Sequence, residues 1–374
     1  MTVLDVRRAP APTSAPMVFG PNWFAAVMGT GIVANAAATL PVHVPGLLVV
    51  ARLVWVAAAV LLVVLLVATA AHYVRRPGAA RGYLADPVMS HFYGAPAMAL
   101  MTVGAGALLV GVPVVGMPTA VAIDAVLWTA GTLLGLATAV AVPYRAFTAA
   151  DAAPDAAFGG WLMPVVPPMV SAATGPLLLP HLPAGQARLT LHLACSAMFG
   201  LTLVASLFVI AMIWSRLVHH GVGAASAVPT LWIVLGPLGQ SITAAHTIGA
   251  SAPGVLPAPY AAVFQALGLV YGVPMWGFAM LWLTLAAAIT VRTARAHLPF
   301  SLTWWSFTFP VGTLVTGTSG LAAASHADVL AGAACLLYAG LVAAWVTVAV
   351  RTAQGVRQGH LPTRPTASAL PPVR

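Results

Sequence analysis

Residues 47–71 read LLVVARLVWVAAAVLLVVLLVATAA, an apolar run broken by a single arginine. About 20 such residues, wound as a helix, cross the hydrocarbon core of a bilayer. Ten segments of this kind follow one another at 19–40, 47–73, 91–111, 119–143, 158–180, 189–214, 230–251, 260–290, 302–323 and 328–350. Only 6% of the chain is charged and 61% is hydrophobic, with a mean hydropathy of +0.97. A soluble domain carries about a quarter charged residues, and a disordered chain pairs low hydrophobicity with high charge. Both classes are excluded, and the expectation is an all-α polytopic membrane protein.

The charges orient it. There are fifteen Arg, no Lys, six Asp and no Glu, for a net charge of +9. A nucleic-acid partner is not expected, because such a protein gathers its basic residues on one solvated face, whereas these arginines lie between apolar runs. Thirteen of them fall in the N-terminal tail, the loops after even-numbered segments, or the C-terminal tail; Arg52 and Arg188 fall opposite. Positive charge stays on the cytoplasmic side. Both termini are therefore expected inside the inner (plasma) membrane, which requires an even number of spans. The chain divides into a cytoplasmic tail (1–18), a single ten-helix domain (19–350) and a basic cytoplasmic tail (351–374). Residues 1–18 have no apolar core and read as a tail, not a signal peptide. Cys195 and Cys335 lie inside apolar stretches without metal-ligand or CxxC spacing, so neither a disulfide framework nor a zinc site is expected.

The odd-numbered segments are the weaker ones, with aromatic starts, Pro or Gly breaks, then small and hydroxylated residues. Pro96, Pro167, Pro237 and Pro310 are spaced by 71, 70 and 73 residues, and the Met28-Gly29-Thr30-Gly31 stretch lies 68 residues before Pro96. A repeated period is the mark of a repeated structural unit. The expectation is five helical hairpins around a pseudo-five-fold central pore. Kinked odd helices would line it, and even helices would face lipid. The candidate lining comprises Gly29, Thr30, Gly31, Pro96, Pro167, Ser171, Pro237, Gln240, Ser241, Pro310 and Thr313.

No carboxylate stands mid-membrane in an odd segment; Asp124 and Arg52 sit near segment ends, where a side chain reaches the interface. An interior of hydroxyls and backbone dipoles without negative charge admits small anions, which the cytoplasmic arginines would concentrate at the inner mouth. His246, in the seventh segment, is the interior candidate for pH sensing. Phe309, fixed in direction by Pro310, is the candidate for a hydrophobic gate, with Phe307 as the alternative. No metal or cofactor is expected, and the scattered Asp and unpaired His residues argue against an intramembrane enzyme.

At FGPNWFAAVMGTGIVANAA (19–37), GPLGQS (236–241) and WWSFTFPVG (304–312) the sequence resembles the tellurite-resistance/dicarboxylate transporter family. That family includes TehA proteins, fungal malate permeases, sulfite efflux pumps and plant slow-type anion channels. The resemblance implies ten helices in five hairpins, a pore closed by a phenylalanine matching Phe309, and a homotrimer. It also implies transport of small anions: a C4-dicarboxylate such as malate, sulfite, or chloride or nitrate. The alternative is a proton-coupled dicarboxylate carrier or a tellurite or toxic-anion resistance exporter. The opening motif is closer to the sulfite and malate branches than to the plant channels.

Overall fold

The computed structural model describes residues 20–149, 153 and 155–358, and among these the regular elements are all helical. The ten that build the body are, in chain order, α1 (Phe24–Thr39), α2 (Leu47–Arg75), α3 (Met89–Val115), α4 (Met117–Ala149), α5 (Pro167–Thr174), α6 (Gln186–His220), α7 (Ala225–Gly254), α8 (Ala258–Ala296), α9 (Phe309–Ser325) and α10 (Asp328–Gln358), with a short helix at Ala79–Ala85 between α2 and α3. The tail 1–18 and residues 359–374 lie outside the described residues.

Seven of these helices, α2, α3, α4, α6, α7, α8 and α10, are long and apolar enough to cross a membrane. The other three have 16, 8 and 17 residues. Proline explains the shortest. The segment expected to run over 158–180 contains Pro164, Pro167, Pro168, Pro176 and Pro180, and each removes a backbone donor. It breaks into 3-10 turns at Gly159–Leu162, the eight-residue α5, and a second 3-10 stretch at Gly175–His181.

The periodic prolines do something other than kink helices. Each of the five segments enters through 3-10 turns: Pro21–Trp23, Met89–Tyr93, Gly159–Leu162, Ala225–Val234 and Leu302–Phe307. Regular α-helix then begins at Phe24, Gly94, Pro167, Leu235 and Phe309. Pro96, Pro167, Pro237 and Pro310 therefore fall within the first three α-helical residues. There, where a 3-10 turn gives way to α-helix, proline's fixed φ of about −65° is already helical. The MGTG stretch is likewise no break, since α1 runs continuously through it.

Odd and even helices differ in burial as the alternation of texture predicts. The most apolar stretches of α3 and α7 are 67% and 83% buried, against 28% or less for α2, α4, α6, α8 and α10. Buried residues run unbroken through α1 from Phe24 to Ala37 and through α9 from Phe309 to Ala322. The even helices instead expose Leu53, Val67, Val140 and Val329. Such outward apolar faces suit hydrocarbon and would be costly in water. The buried helices follow one another in a closed cycle, α1 against α3, α3 against α5, α5 against α7, α7 against α9, and α9 back against α1. Each also packs on the outer helix that follows it in sequence.

Indole hydrogen bonds tie most outer helices to the next buried one. Trp55 of α2 donates to the Val103 carbonyl of α3 (3.0 Å), and Trp128 of α4 to the Ser171 carbonyl of α5 (3.0 Å). Trp276 of α8 donates to the Thr318 hydroxyl of α9 (3.0 Å), and Trp345 of α10 to the Thr30 hydroxyl of α1 (3.1 Å). Between α6 and α7 the arrangement changes. Phe199 of α6 meets Tyr271 of α8 edge-on at 5.4 Å, and the Tyr271 hydroxyl donates to Ser241 of α7 (2.7 Å). The Trp345–Thr30 bond joins the last helix to the first. Interhelical bonds within a membrane contribute about 0.6–1.7 kcal/mol. Trp345→Phe is expected to lower detergent-solubilised thermal stability by that order. Thr30→Val in the same chain should add little further; full additivity in this double-mutant cycle would mean that the two groups do not interact.

Asp124, expected to reach the interface, is enclosed by protein instead. It is fully buried on α4 beside Gly104 of α3, and neither carboxylate oxygen has a hydrogen-bond partner. Gly104 makes the room: a Cβ there would lie 2.7 Å from Asp124 Oδ1.

Candidate functional site

All five buried segments meet around one cavity. Its wall is built from Ala25 and Met28 of α1, Phe92 and Met98 of α3, and Met163 and Val166 just ahead of α5. Ile233 and Gly236 of α7, then Leu302, Trp305 and Ser306 of the 3-10 turn before α9 and Phe309 and Pro310 at its start, complete it. The volume is about 30 Å³, room for roughly one or two water molecules. No ionisable side chain lines it. Phe309 is only 2% exposed and belongs to the central apolar cluster with Phe24, Met28 and Leu235. A narrow, mostly carbon-lined constriction of this kind is costly for a hydrated ion to enter.

The polarity comes from the backbone. The α-helical starts at Phe24, Gly94, Pro167, Leu235 and Phe309 all lie within a turn of lining residues. Each start follows a 3-10 turn that pairs some of its first N–H groups, as Phe24 N–H pairs with Pro21 and Leu235 N–H with Trp232, and the aligned peptides of the helix beyond carry a partial positive charge toward this end. Five of them around one cavity favour an anion there without any basic side chain.

Among the residues expected at the site, Phe309 and Pro310 line this cavity and the others lie elsewhere. Phe307 is half-buried between Trp232 (5.2 Å, edge-on) and Trp304 (5.7 Å, edge-on). Gly29 faces Thr308 and Trp305, and Gly31 faces Thr102 of α3. The Thr30 hydroxyl is turned to Trp345. Pro167 sits against Gly135 of α4, while Pro96 and Pro237 occupy the first turns of their helices. The Ser171 hydroxyl accepts from Thr132 of α4 (2.9 Å), and the Ser241 hydroxyl accepts from Tyr271. Thr313 donates to the Pro310 carbonyl (2.7 Å) beside α7. These hydroxyls thus serve seams between helices. Gln240 is buried, and its side-chain carbonyl has no partner. His246 is half-buried, its ring lying over Gly320 of α9.

The apolar lining from Met28, Phe92, Met163, Val166 and Ile233 was not anticipated from sequence. The available signal was position, since each precedes or follows a helix start by a few residues. The indole ties were also missed, although Trp55 and Trp128 are 73 residues apart, and Trp276 and Trp345 are 69 apart.

A sulfite efflux pump of Trichophyton rubrum is 29% identical over 307 residues, covering 80% of this chain and 81% of that protein. A sulfite efflux pump of Arthroderma otae matches at the same identity and coverage. An uncharacterized transporter of Methanocaldococcus jannaschii is 28% identical over 305 residues, covering 80% of this chain and 82% of that protein. The family model described as voltage-dependent anion channel (SLAC1) matches residues 18–353. With that match spanning nearly the whole helical body, the chain is a multi-pass membrane protein that belongs to the SLAC1 voltage-dependent anion channel family, the tellurite-resistance/dicarboxylate transporter group.

Proposed function

We propose that this protein carries small anions, sulfite first among them, along the axis enclosed by α1, α3, α5, α7 and α9, and that Phe309 closes the path. The observation carrying this reading is the convergence of five helix starts on one apolar cavity. Their dipoles select the sign of the ion, and the carbon lining keeps the path shut until the phenyl ring moves. Sulfite is placed first because sulfite efflux pumps are among the relatives. In this reading the ten helices pair as five hairpins and three copies assemble. Both termini then lie on the cytoplasmic face of the inner membrane, with the arginines raising anion concentration at that mouth.

Uptake into proteoliposomes tests it. Labelled sulfite is expected to enter at least about tenfold faster than into protein-free vesicles, a barrier lowered by about 1.4 kcal/mol. Labelled malate and chloride measured alongside rank the substrates, and rubidium should stay at background. Rubidium entry matching that of the anions would overturn the reading.

A further inference from the structure

Away from the ring, a groove of about 200 Å³ opens on the outer surface between α6, α7 and α8. Leu231, Trp282 and Ala286 form its buried floor, while Trp214, Val218 and Leu285 stand exposed along its walls. The indoles of Trp214 and Trp282, 6.0 Å apart and tilted by 45°, close one end. Every lining residue is apolar.

The other end is marked by charge. On α8 the lining positions Trp282, Leu285 and Ile289 continue along the same helical face to Arg292, three residues further on. Arg292 is exposed and, among the described residues, has neither a hydrogen-bond nor an ion-pair partner. On α8 the lining runs from Trp282 to Ile289, about 10 Å at 1.5 Å per residue, and Arg292 follows within one further turn. The groove is therefore a short apolar slot with a guanidinium beyond one end.

We propose that this groove is a binding site for one acyl chain of an anionic phospholipid, whose phosphate is held by Arg292. An empty slot on a lipid-facing surface forfeits dispersion contacts along both walls, which a hydrocarbon chain restores. Guanidinium pairs with phosphate through two parallel hydrogen bonds. An anionic headgroup leaves that pair undisturbed, whereas a zwitterionic one brings its own cation beside Arg292. The site stands on the membrane placement of these helices and is independent of where the anion path closes.

Native mass spectrometry of the detergent-purified protein, incubated with phosphatidylglycerol or phosphatidylcholine, tests it. Wild type is expected to retain one phosphatidylglycerol per chain and several-fold less phosphatidylcholine. Arg292→Gln should bring the first down to the level of the second. Ala286→Phe, which fills the floor, should abolish retention of both. Equal retention of the two lipids by wild type and Arg292→Gln would overturn the proposal. So would a disulfide-linked pair formed through Leu285→Cys in a Cys335→Ser background, since a second copy would then occupy the groove.

Discussion

Phe309→Ala is expected to raise anion conductance in planar bilayers by at least about tenfold, corresponding to about 1.4 kcal/mol removed from the barrier. The ring is almost wholly enclosed where α1, α3, α7 and α9 come together, and it forms part of the wall of the cavity they share with the turns before α5. Truncation would open that space toward the five helix starts and admit water. Phe→Ala changes in packed cores cost about 3–5 kcal/mol, so the variant should also be less stable. Phe309→Leu, which keeps most of the volume, should recover stability and restore most of the closure. Phe307→Ala should leave conductance little changed, since its ring is held between Trp232 and Trp304. Gain in Phe307→Ala together with silence in Phe309→Ala would move the closure to the other ring.

Gly94→Ala and Gly159→Ala should be the most disruptive of the small substitutions. A Cβ at Gly94 would collide with the Met163 carbonyl, and one at Gly159 with the Thr230 carbonyl. Both obstacles are backbone, so no side-chain rotation relieves them. The two contacts fix the turns before α5 between those of α3 and α7, and Met163 lies on the cavity wall. Overpacking costs about 1–3 kcal/mol where side chains can adjust, and here the cost should reach the upper end or exceed it. The expected readout is a sharp loss of monodisperse protein in detergent chromatography and a lowered melting temperature. Gly200→Ala is the matched control: it lies on outer helix α6 with nothing within 4 Å of its Cβ position. Equal behaviour of all three variants would refute the close-contact argument.

The helical class and the division into buried and lipid-facing helices were legible because both depend on composition along a segment. Leu and Val dominate where hydrocarbon is the neighbour, and Gly, Ala, Ser and Thr where another backbone must come close. The proline period was legible as a repeat, but its meaning was not. Spacing gives no phase relative to a helix start, so first-turn prolines and mid-helix kinks look alike in sequence. The seven helices of crossing length, against ten apolar segments, have a related cause, since a hydropathy window cannot see the 3-10 turns that shorten α1, α5 and α9.

The site was less legible for a geometric reason. Thr30, Ser171 and Ser241 have the residue type suited to a polar channel wall, yet a helix segment buried on all sides has no amphipathic stripe to show where each hydroxyl points. Their partners lie on other helices, one of them 315 residues away in sequence. Asp124 shows the same limit. Eight residues into α4 its depth was ambiguous, and only Gly104 on the neighbouring helix decides that it is enclosed. The place of Phe309 on the cavity wall was legible because an adjacent proline constrains the first turn of its helix.

The proposed path passes beside Gly236, which lines the cavity and has room for a side chain, with Pro310 Cγ at 4.0 Å the nearest atom to an added Cβ. The decisive measurement is therefore the current through Phe309→Ala/Gly236→Cys in a Cys335→Ser background, before and after a negatively charged thiol reagent. Cys195 is buried and should not react. Loss of most of the anion current on modification is the predicted result. An unchanged current, with mass spectrometry showing full labelling of position 236, would mean that anions do not pass through this ring.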